Sequence, residues 1–298
     1  MTAIPVIDGH HHIWRLADLP WLSGPVQPRI FGAYEAIRRD YTTEEFRAAA
    51  EPEGVVASVY VQTNWPAAGA VDEVAWVQAE GERTGWPHAI VGYADFADPE
   101  VARVLDAQMR HDRFRGVRQQ LHWHENPLYR FAPRPDVMND PPWRRGFAEV
   151  GKRGLLFELQ LFSGQMADGV ALVRAFPETQ FVLEHAGMLA DTAPGGVAAW
   201  RAGMRALAAE PNVAVKLSAL GTFIRRCSIQ HMRPIVLETV ELFGPDRCLW
   251  GSNMPIESLW TEYRTLAAAI RATIAPLPEA ARRAILHDTA ARLYRIAA

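Results

Sequence analysis

The sequence predicts a (β/α)8 TIM barrel, an α/β fold, formed by a single domain that extends over residues 1–298. Short apolar runs alternate with amphipathic segments eight times along the chain. The runs are rich in valine, leucine, isoleucine and aromatic residues, as expected for parallel strands buried on both faces. Polar side chains stand at the ends of most runs, and barrel enzymes keep their active sites at the carboxyl ends of the strands. No linker or low-complexity segment divides the chain.

Each apolar run is predicted to form one strand, and each amphipathic segment one helix. The predicted strands are residues 6–10, 55–62, 89–96, 114–121, 155–161, 180–184, 213–218 and 247–251. The first helix begins at Thr42 or Thr43, because either hydroxyl is a natural N-cap and acidic residues follow in the first turn. The last helix begins after Pro278, a common start signal. The other predicted helices are residues 72–83, 99–111, 142–153, 164–176, 196–210, 229–243 and 258–274, and the last extends over 279–296.

A doubly wound open sheet is the alternative fold. That fold normally has a glycine-rich phosphate-binding turn after its first strand, where this chain has three consecutive histidines. Two long loops, residues 13–41 and 122–141, follow predicted strands and are rich in aromatic residues and proline. In a barrel both loops would lie on the catalytic face, as a lid or as walls of the pocket.

Composition and charge limit the possible partners. A net charge of -3 argues against nucleic acid, because a phosphate-binding surface needs an excess of basic residues. No apolar stretch is long enough for a membrane span, and no secretory signal is recognisable. Two cysteines, Cys227 and Cys248, are too few for a disulfide framework. We therefore expect a cytoplasmic protein with a small-molecule substrate, and a homo-oligomer is compatible with this sequence.

The segment 6–14 contains the strongest chemical signal, a short apolar strand that ends in three histidines. A period of two places Asp8, His10 and His12 on one face of the strand and Ile7, Gly9 and His11 on the other. Two imidazoles on one face at a strand end can converge on one point, which suits a metal such as Zn²⁺. A surface histidine run or a tag remnant is the alternative, but a tag would lack the flanking apolar residues.

Polar residues also end most of the other predicted strands, which favours a site over isolated capped core residues. These strand-end residues are Gln62, Arg118, His122, His124, Glu184, His185, Lys216, Ser218 and Asn253. Lys216 lies inside an apolar strand, and a buried lysine needs a carboxylate partner to keep its proton. A structural ion pair in the barrel is the favoured interpretation of Lys216.

Four motifs together resemble the amidohydrolase superfamily, specifically its lactonase-like branch, which includes L-fuconolactonase and 2-pyrone-4,6-dicarboxylate lactonase. The motifs are Ile-Asp-Gly-His-His-His-Ile-Trp from residue 7, Gly-Val-Arg from residue 116, Glu-His-Ala-Gly from residue 184, and Trp-Gly-Ser-Asn-Met-Pro from residue 250. The resemblance covers essentially the whole chain, and the motifs occur in the order of the family.

The resemblance implies that His10, His12 and His185 hold one divalent metal, with zinc the first candidate. It implies that Arg118 grips a carboxylate or carbonyl oxygen of the substrate. Strand four has no lysine, so the bridging carbamylated lysine of two-metal relatives is excluded. We expect further substrate contacts from residues at the strand ends and in the two long loops. These residues are Gln62, Trp14, Trp21, His122 and His124.

Asn253 departs from the family pattern, which has an aspartate that binds metal and takes a proton from water. An amide has no useful basicity at neutral pH and no negative charge. The metal is therefore expected to bind weakly or not at all. The base would be another group, and the candidates are His122, His124, Glu257 and a metal-bound hydroxide.

These features predict a hydrolase that opens a small lactone, either a sugar-acid lactone or a carboxylated cyclic ester, by attack of water. One alternative is a metal-dependent decarboxylase of the same superfamily. The other is a barrel that binds a ligand without catalysis, because Asn253 replaces the usual aspartate.

Overall fold

A computed structural model describes residues 4–297, so positions 1–3 and 298 of the predicted domain lie outside the described residues. Its eight parallel strands follow chain order around the sheet, each paired with the next. They are β1 (Val6–His11), β2 (Val55–Val61), β3 (Ala89–Gly92), β4 (Phe114–Arg118), β5 (Leu156–Leu159), β6 (Phe181–Leu183), β7 (Val213–Leu217) and β8 (Cys248–Trp250). Most strands end earlier than predicted, because the polar residues after them turn out of the sheet.

The barrel is closed where β1 meets the segment after β8. His11 and Met254 form an isolated parallel bridge. The backbone N–H of His12 donates to the carbonyl of Met254 at 2.7 Å, and that of Asn253 donates to the carbonyl of His10 at 2.7 Å. The predicted (β/α)8 barrel is thereby confirmed.

Helices surround the sheet. They are α1 (Pro20–Ser23), α2 (Thr43–Ala50), α3 (Ala70–Thr84), α4 (Val101–Gln108), α5 (Pro141–Lys152), α6 (Met166–Ala175), α7 (Pro194–Ala208), α8 (Ile229–Phe243), α9 (Tyr263–Ile274), α10 (Glu279–Arg283) and α11 (Thr289–Tyr294). Thr42 is the N-cap of α2, where its side chain accepts from the N–H of Glu45. The predicted last helix is interrupted by a π-helical turn, Ala284–Asp288. In the described part of the chain, no helix combines the length and the apolar character needed to cross a lipid bilayer.

A bulge in β1 changes which residues face the barrel interior. Asp8 pairs with Ser58 and His11 with Tyr60, so β1 has one residue more than β2 over this stretch. Asp8 lies before the bulge and faces outward, where it accepts a hydrogen bond from the hydroxyl of Tyr263 at 2.9 Å, and the bulge brings the residues after it to the opposite alternation. His11 also turns outward and stacks on Phe46, at a centroid distance of 3.8 Å.

The prediction that Asp8 shares a face with His10 and His12 is therefore wrong. The prediction that Ile7 and His11 lie on the same face is wrong for the same reason. Ile7 packs in the apolar interior of the barrel. A bulge reverses the alternation of side chains beyond it, and the period of two assumed an unbroken strand. The two histidines His10 and His12 keep their common face, because both follow Gly9.

The barrel interior has an apolar layer and, further along the strands, a layer of charges. Ile7, Leu156, Val182 and Leu249 belong to the apolar layer, which α11 covers through Ala290 and Tyr294. The charged side chains, which we call the ion layer, are Glu158, Glu184, Arg118 and Lys216, all buried. The Nζ of Lys216 donates to Oε1 of Glu158 at 2.6 Å, and the hydroxyl of Tyr294 donates to the same oxygen at 2.7 Å. The predicted ion pair of Lys216 is thereby confirmed.

Candidate active site

A cavity of about 180 Å³ opens at the carboxyl ends of the strands, above the ion layer. The strand ends and both long loops contribute to its wall. The predicted site residues that line it are His12, Trp14, Trp21, Gln62, Arg118, His122, His185 and Asn253. His10 is fully buried beside them, and His124 lies outside the lining.

Three histidine rings cluster between the ion layer and the cavity. The ring centroid of His10 lies 5.0 Å from that of His12 and 4.9 Å from that of His185. The Nδ1 of His12 is 2.7 Å from the carbonyl oxygen of Val61. A carbonyl oxygen only accepts, so Nδ1 carries the proton and the neutral ring keeps a lone pair on Nε2.

His185 and His10 are also held through their Nδ1 atoms. The Nδ1 of His185 is 2.8 Å from Oγ of Ser218. The Nδ1 of His10 is 3.3 Å from Oε1 of Glu184 and 3.2 Å from Nζ of Lys216. The Nε2 of His10 is buried and has no hydrogen-bond partner among the described residues. When Nδ1 of His10 donates to Glu184, its Nε2 is left with a free lone pair.

The histidines in the cluster are neutral. Burial, followed by the charge of Arg118, lowers the pKa of His12 and that of His185 to about 3. Burial and the charge of Lys216 lower the pKa of His10 well below its usual range. Neutral imidazole is the form that binds metals, so no proton has to leave these rings at neutral pH.

The donor set fits one divalent metal. His10, Glu184 and His185 each offer a ligand atom, and these atoms lie within 4.8 Å of one another. Imidazole nitrogen and carboxylate oxygen are ligands that zinc accepts. Sequence reasoning included two of these residues among the metal ligands and missed Glu184, although Glu184 directly precedes His185 in the quoted motif. Its carboxylate supplies negative charge that Asn253 lacks.

The guanidinium of Arg118 is largely engaged by the protein. Its Nη1 lies 3.2 Å from both carboxylate oxygens of Glu184, and its Nη2 donates to the carbonyl of Gln62 at 2.6 Å. Only its Nε is buried without a partner in the described structure. Arg118 therefore fixes Glu184 and the end of β2. Few of its N–H groups remain for the two-point substrate contact that the sequence led us to expect.

Asn253 lies at the cavity in the left-handed region of backbone space, with φ 59°. Its side chain contacts His12 on one side and Glu257 on the other. Glu257 is buried, and one carboxyl oxygen accepts from Nε1 of Trp260 at 2.8 Å. Burial raises the pKa of Glu257 to about 8, and the contacts with Trp260 and Asn253 offset this only in part. Glu257 is thus mainly protonated at neutral pH.

Trp14 and Trp21 form the aromatic part of the wall. Their rings meet edge to face at a centroid distance of 6.0 Å. The Nε1 of Trp14 donates to the carbonyl of Arg39, and that of Trp21 donates to the carbonyl of Thr63, both at 2.8 Å. Both polar tips are thereby satisfied, which leaves the ring surfaces to shape the cavity.

His122 and His124 have different surroundings. His122 lines the cavity, and its buried Nδ1 has no partner in the described part of the chain. Burial and Arg118 lower the pKa of His122 to about 3. His124 packs against Phe162 at a centroid distance of 5.0 Å and accepts from the N–H of Asn126 at 3.0 Å. His124 lies outside the cavity lining, and its Nδ1 contributes to the structure of its own loop.

An eight-stranded barrel with imidazoles and a carboxylate gathered at its strand ends has the arrangement expected of a barrel enzyme, since such enzymes keep their active sites there. The chain belongs to the amidohydrolase family, whose sequence profile, described as "Amidohydrolase", matches residues 7–296. The family predicted from the four motifs is thereby confirmed.

Three known proteins illustrate the similarity. The chain is 38% identical over 298 residues to the uncharacterized protein y4mH of Sinorhizobium fredii, covering 99% of this chain and 100% of the relative. It is 29% identical over 303 residues to the L-fucono-1,5-lactonase of Burkholderia multivorans, and the match covers 97% of this chain and 96% of the relative. A crystal structure of an amidohydrolase from Burkholderia multivorans with bound zinc has a TM-score of 0.83 at 28% identity, covering 98% of this chain and 100% of the other.

Proposed function

We propose that this enzyme opens a small lactone by attack of water on the ring carbonyl. The observation that carries the proposal is the cluster of neutral imidazoles and one carboxylate beside a cavity of about 180 Å³, a size that suits a single ring. Similarity to an L-fucono-1,5-lactonase over nearly the whole chain supports the same reaction class.

One divalent metal is part of the proposal, and the zinc-containing relative favours zinc. His10, Glu184 and His185 would hold it, with His12 as the neighbouring imidazole. When bound, such an ion polarises a carbonyl and makes water more acidic. The chain holds this site rigid, because Ser218 fixes the ring of His185 and Val61 fixes the neighbouring ring of His12.

The remaining side chains orient the reactants. Asn253 cannot accept a proton, so its amide orients the water. His122 lies at the cavity as a neutral imidazole whose Nδ1 has no partner among described residues, and we assign it a hydrogen bond to the attacking water. Trp14 and Trp21 exclude bulk water from the ring and give it an apolar surface.

A decarboxylase is the second candidate, and Asn253 is the observation that favours it. Loss of a carboxylate needs no nucleophilic water, so an amide at this position would not impair it. The non-catalytic barrel is not proposed, because the amidohydrolase family and the lactonase relative both support an enzyme.

The test is to assay the purified protein with L-fuconolactone, following acid release at constant pH, and to measure bound zinc. We expect turnover that falls at least about a hundredfold in His185→Asn, because one side chain of the cluster is lost. His111→Asn, a histidine outside the cavity, is the matched control and should match the native protein. If the native protein releases no acid from any lactone, the proposed function is wrong, and release of CO₂ from a carboxylated aromatic ring would establish the second candidate.

A further inference from the structure

The cavity has a basic wall. Among its described lining residues are Arg29, Arg118 and Arg130, and no aspartate or glutamate. A charged group in a confined space needs a partner, since removing its hydration without one is costly. Only a guanidinium group that does not already bind another part of the protein is available to a ligand.

Two of the arginines are engaged. Arg118 is paired with Glu184 in the ion layer. Arg130 is exposed, and its Nε donates to the carbonyl of His124 at 2.7 Å while its Nη2 donates to that of Glu125. Both arginines therefore stabilise the protein's own structure, and neither has a pair of adjacent N–H groups left for a ligand.

Arg29 is different. It is half-buried in the first long loop, and its Nε is buried with no hydrogen-bond partner among the residues described. Its guanidinium carbon lies 5.4 Å from the centroid of the Trp21 ring. Trp21 is itself fixed by Thr63, so the arginine rests on an immobile surface. A guanidinium stacked in this way presents its N–H groups edgewise, which is how arginine binds a carboxylate.

We propose that Arg29 and Trp21 form a carboxylate subsite, so that the preferred substrate is a lactone with a carboxylate substituent on its ring. The proposal rests on the proposed function and narrows the substrate class. A neutral sugar lactone would leave the positive charge of Arg29 without a partner. The carboxylate of an anionic lactone would balance that charge. The lactone carbonyl and the substituent carboxylate would thus be recognised separately, by the histidine cluster and by Arg29.

The kinetic test compares D-glucaro-1,4-lactone with D-glucono-1,4-lactone, which differ by a carboxylate in place of a hydroxymethyl group. We expect the native protein to favour the carboxylated lactone at least about tenfold in kcat/KM, as a charge-assisted contact implies. Arg29→Leu should reduce this preference to about twofold or less. The preference of Arg29→Lys should lie between that of the native protein and that of Arg29→Leu. Arg15→Leu, an exposed arginine of the same loop, should keep the native preference. Equal kcat/KM values in the native protein, or equal losses on both lactones in Arg29→Leu, would overturn the proposal.

A binding test separates this proposal from the proposed function. D-glucuronate and D-glucose have the same ring with and without a carboxylate, and neither is a lactone. Calorimetry should show glucuronate binding to the native protein at least about tenfold more tightly than glucose, with the difference lost in Arg29→Leu. Arg29-dependent glucuronate binding without any lactone hydrolysis would mean that the subsite exists and the proposed reaction is wrong. No glucuronate binding, or binding unaffected by Arg29→Leu, would overturn the subsite.

Discussion

In Asn253 an amide nitrogen replaces one carboxylate oxygen of the aspartate that the family pattern has, and this removes the negative charge and the basicity of the side chain. Its backbone N–H closes the barrel, and its side chain lies between His12 and Glu257. An aspartate here could bind metal and accept a proton, but an amide does neither well. The carboxylate of Glu184 is grouped with His10 and His185 and is already shared with Arg118.

We therefore predict that Asn253→Asp tightens zinc binding, by about tenfold or more, because it adds a negative charge next to His12. We do not expect lactone hydrolysis to increase, since the new carboxylate competes with the substrate carbonyl for the water. Zinc titration and kcat on one lactone would check both statements. A clear rise in kcat would show that the native enzyme lacks a base that an aspartate can supply.

The buried carboxyl of Glu257 predicts a pH dependence of stability. Burial raises its pKa to about 8 from an ordinary value of 4.5. Between these values the folded state binds more protons than the unfolded state, so this group makes the free energy of unfolding fall as the pH rises. Glu257→Gln removes the effect. Its stability relative to the native protein should increase steadily from about pH 5 to about pH 8.

Urea denaturation at several pH values in this window would measure the difference between the two proteins. Contributions of the histidines cancel in that difference, provided that the two folds are alike. Glu241→Gln, on an exposed position of α8, is the control and should give a constant difference. A constant difference for Glu257→Gln as well would mean that Glu257 is ionised in the folded protein.

At the scale of elements, the bulge in β1 depends on the carboxylate of Asp8. Its Oδ1 accepts from the N–H of His10 at 3.1 Å and from that of Ser252 at 2.8 Å. Its Oδ2 accepts from Tyr263 on α9. One side chain thus connects β1, the segment after β8 and a surrounding helix.

Asp8→Ala should therefore destabilise the protein by about 3 kcal/mol or more, since it leaves several buried donors without acceptors. Asp8→Asn keeps an acceptor oxygen and should cost clearly less. Chemical denaturation would compare the three proteins. If alanine is tolerated as well as asparagine, water or another group satisfies the backbone N–H groups and the bulge does not depend on Asp8.

The sequence predicted the elements better than their details. Alternating apolar runs identified the eight strands, and spacing by two placed His10 and His12 on one face. The separation of Asp8 and His10 onto different faces could not be predicted, because a bulge depends on pairing with β2 and leaves no mark in the alternation. Arg29 was missed because its loop has no periodicity, so nothing local indicates that its side chain meets Trp21 at the cavity.

At the scale of the whole molecule, α11 covers one end of the barrel and joins the ion layer. The hydroxyl of Tyr294 donates to Glu158, which also pairs with Lys216. Burial raises the pKa of Glu158 and lowers that of Lys216, so each depends on the polar contacts that remain.

Tyr294→Phe should lower the free energy of unfolding by about 1–2 kcal/mol, because it removes a hydrogen bond to a buried carboxylate and adds no replacement. Thermal and urea unfolding would show the loss. Tyr93→Phe, at a half-buried tyrosine elsewhere in the barrel, is a matched control for removal of a hydroxyl. Equal stability of both variants and the native protein would mean that Lys216 alone satisfies Glu158.

The late position of α11 in the chain has a consequence for protein synthesis. The last strand ends at Trp250, whereas the helix that covers the barrel extends over Thr289–Tyr294. A ribosome has therefore made every strand before it makes the residues that cover the barrel end. Until then the apolar layer at that end has no cover and Glu158 lacks the hydroxyl of Tyr294, so the nascent barrel completes its interior only when α11 has emerged.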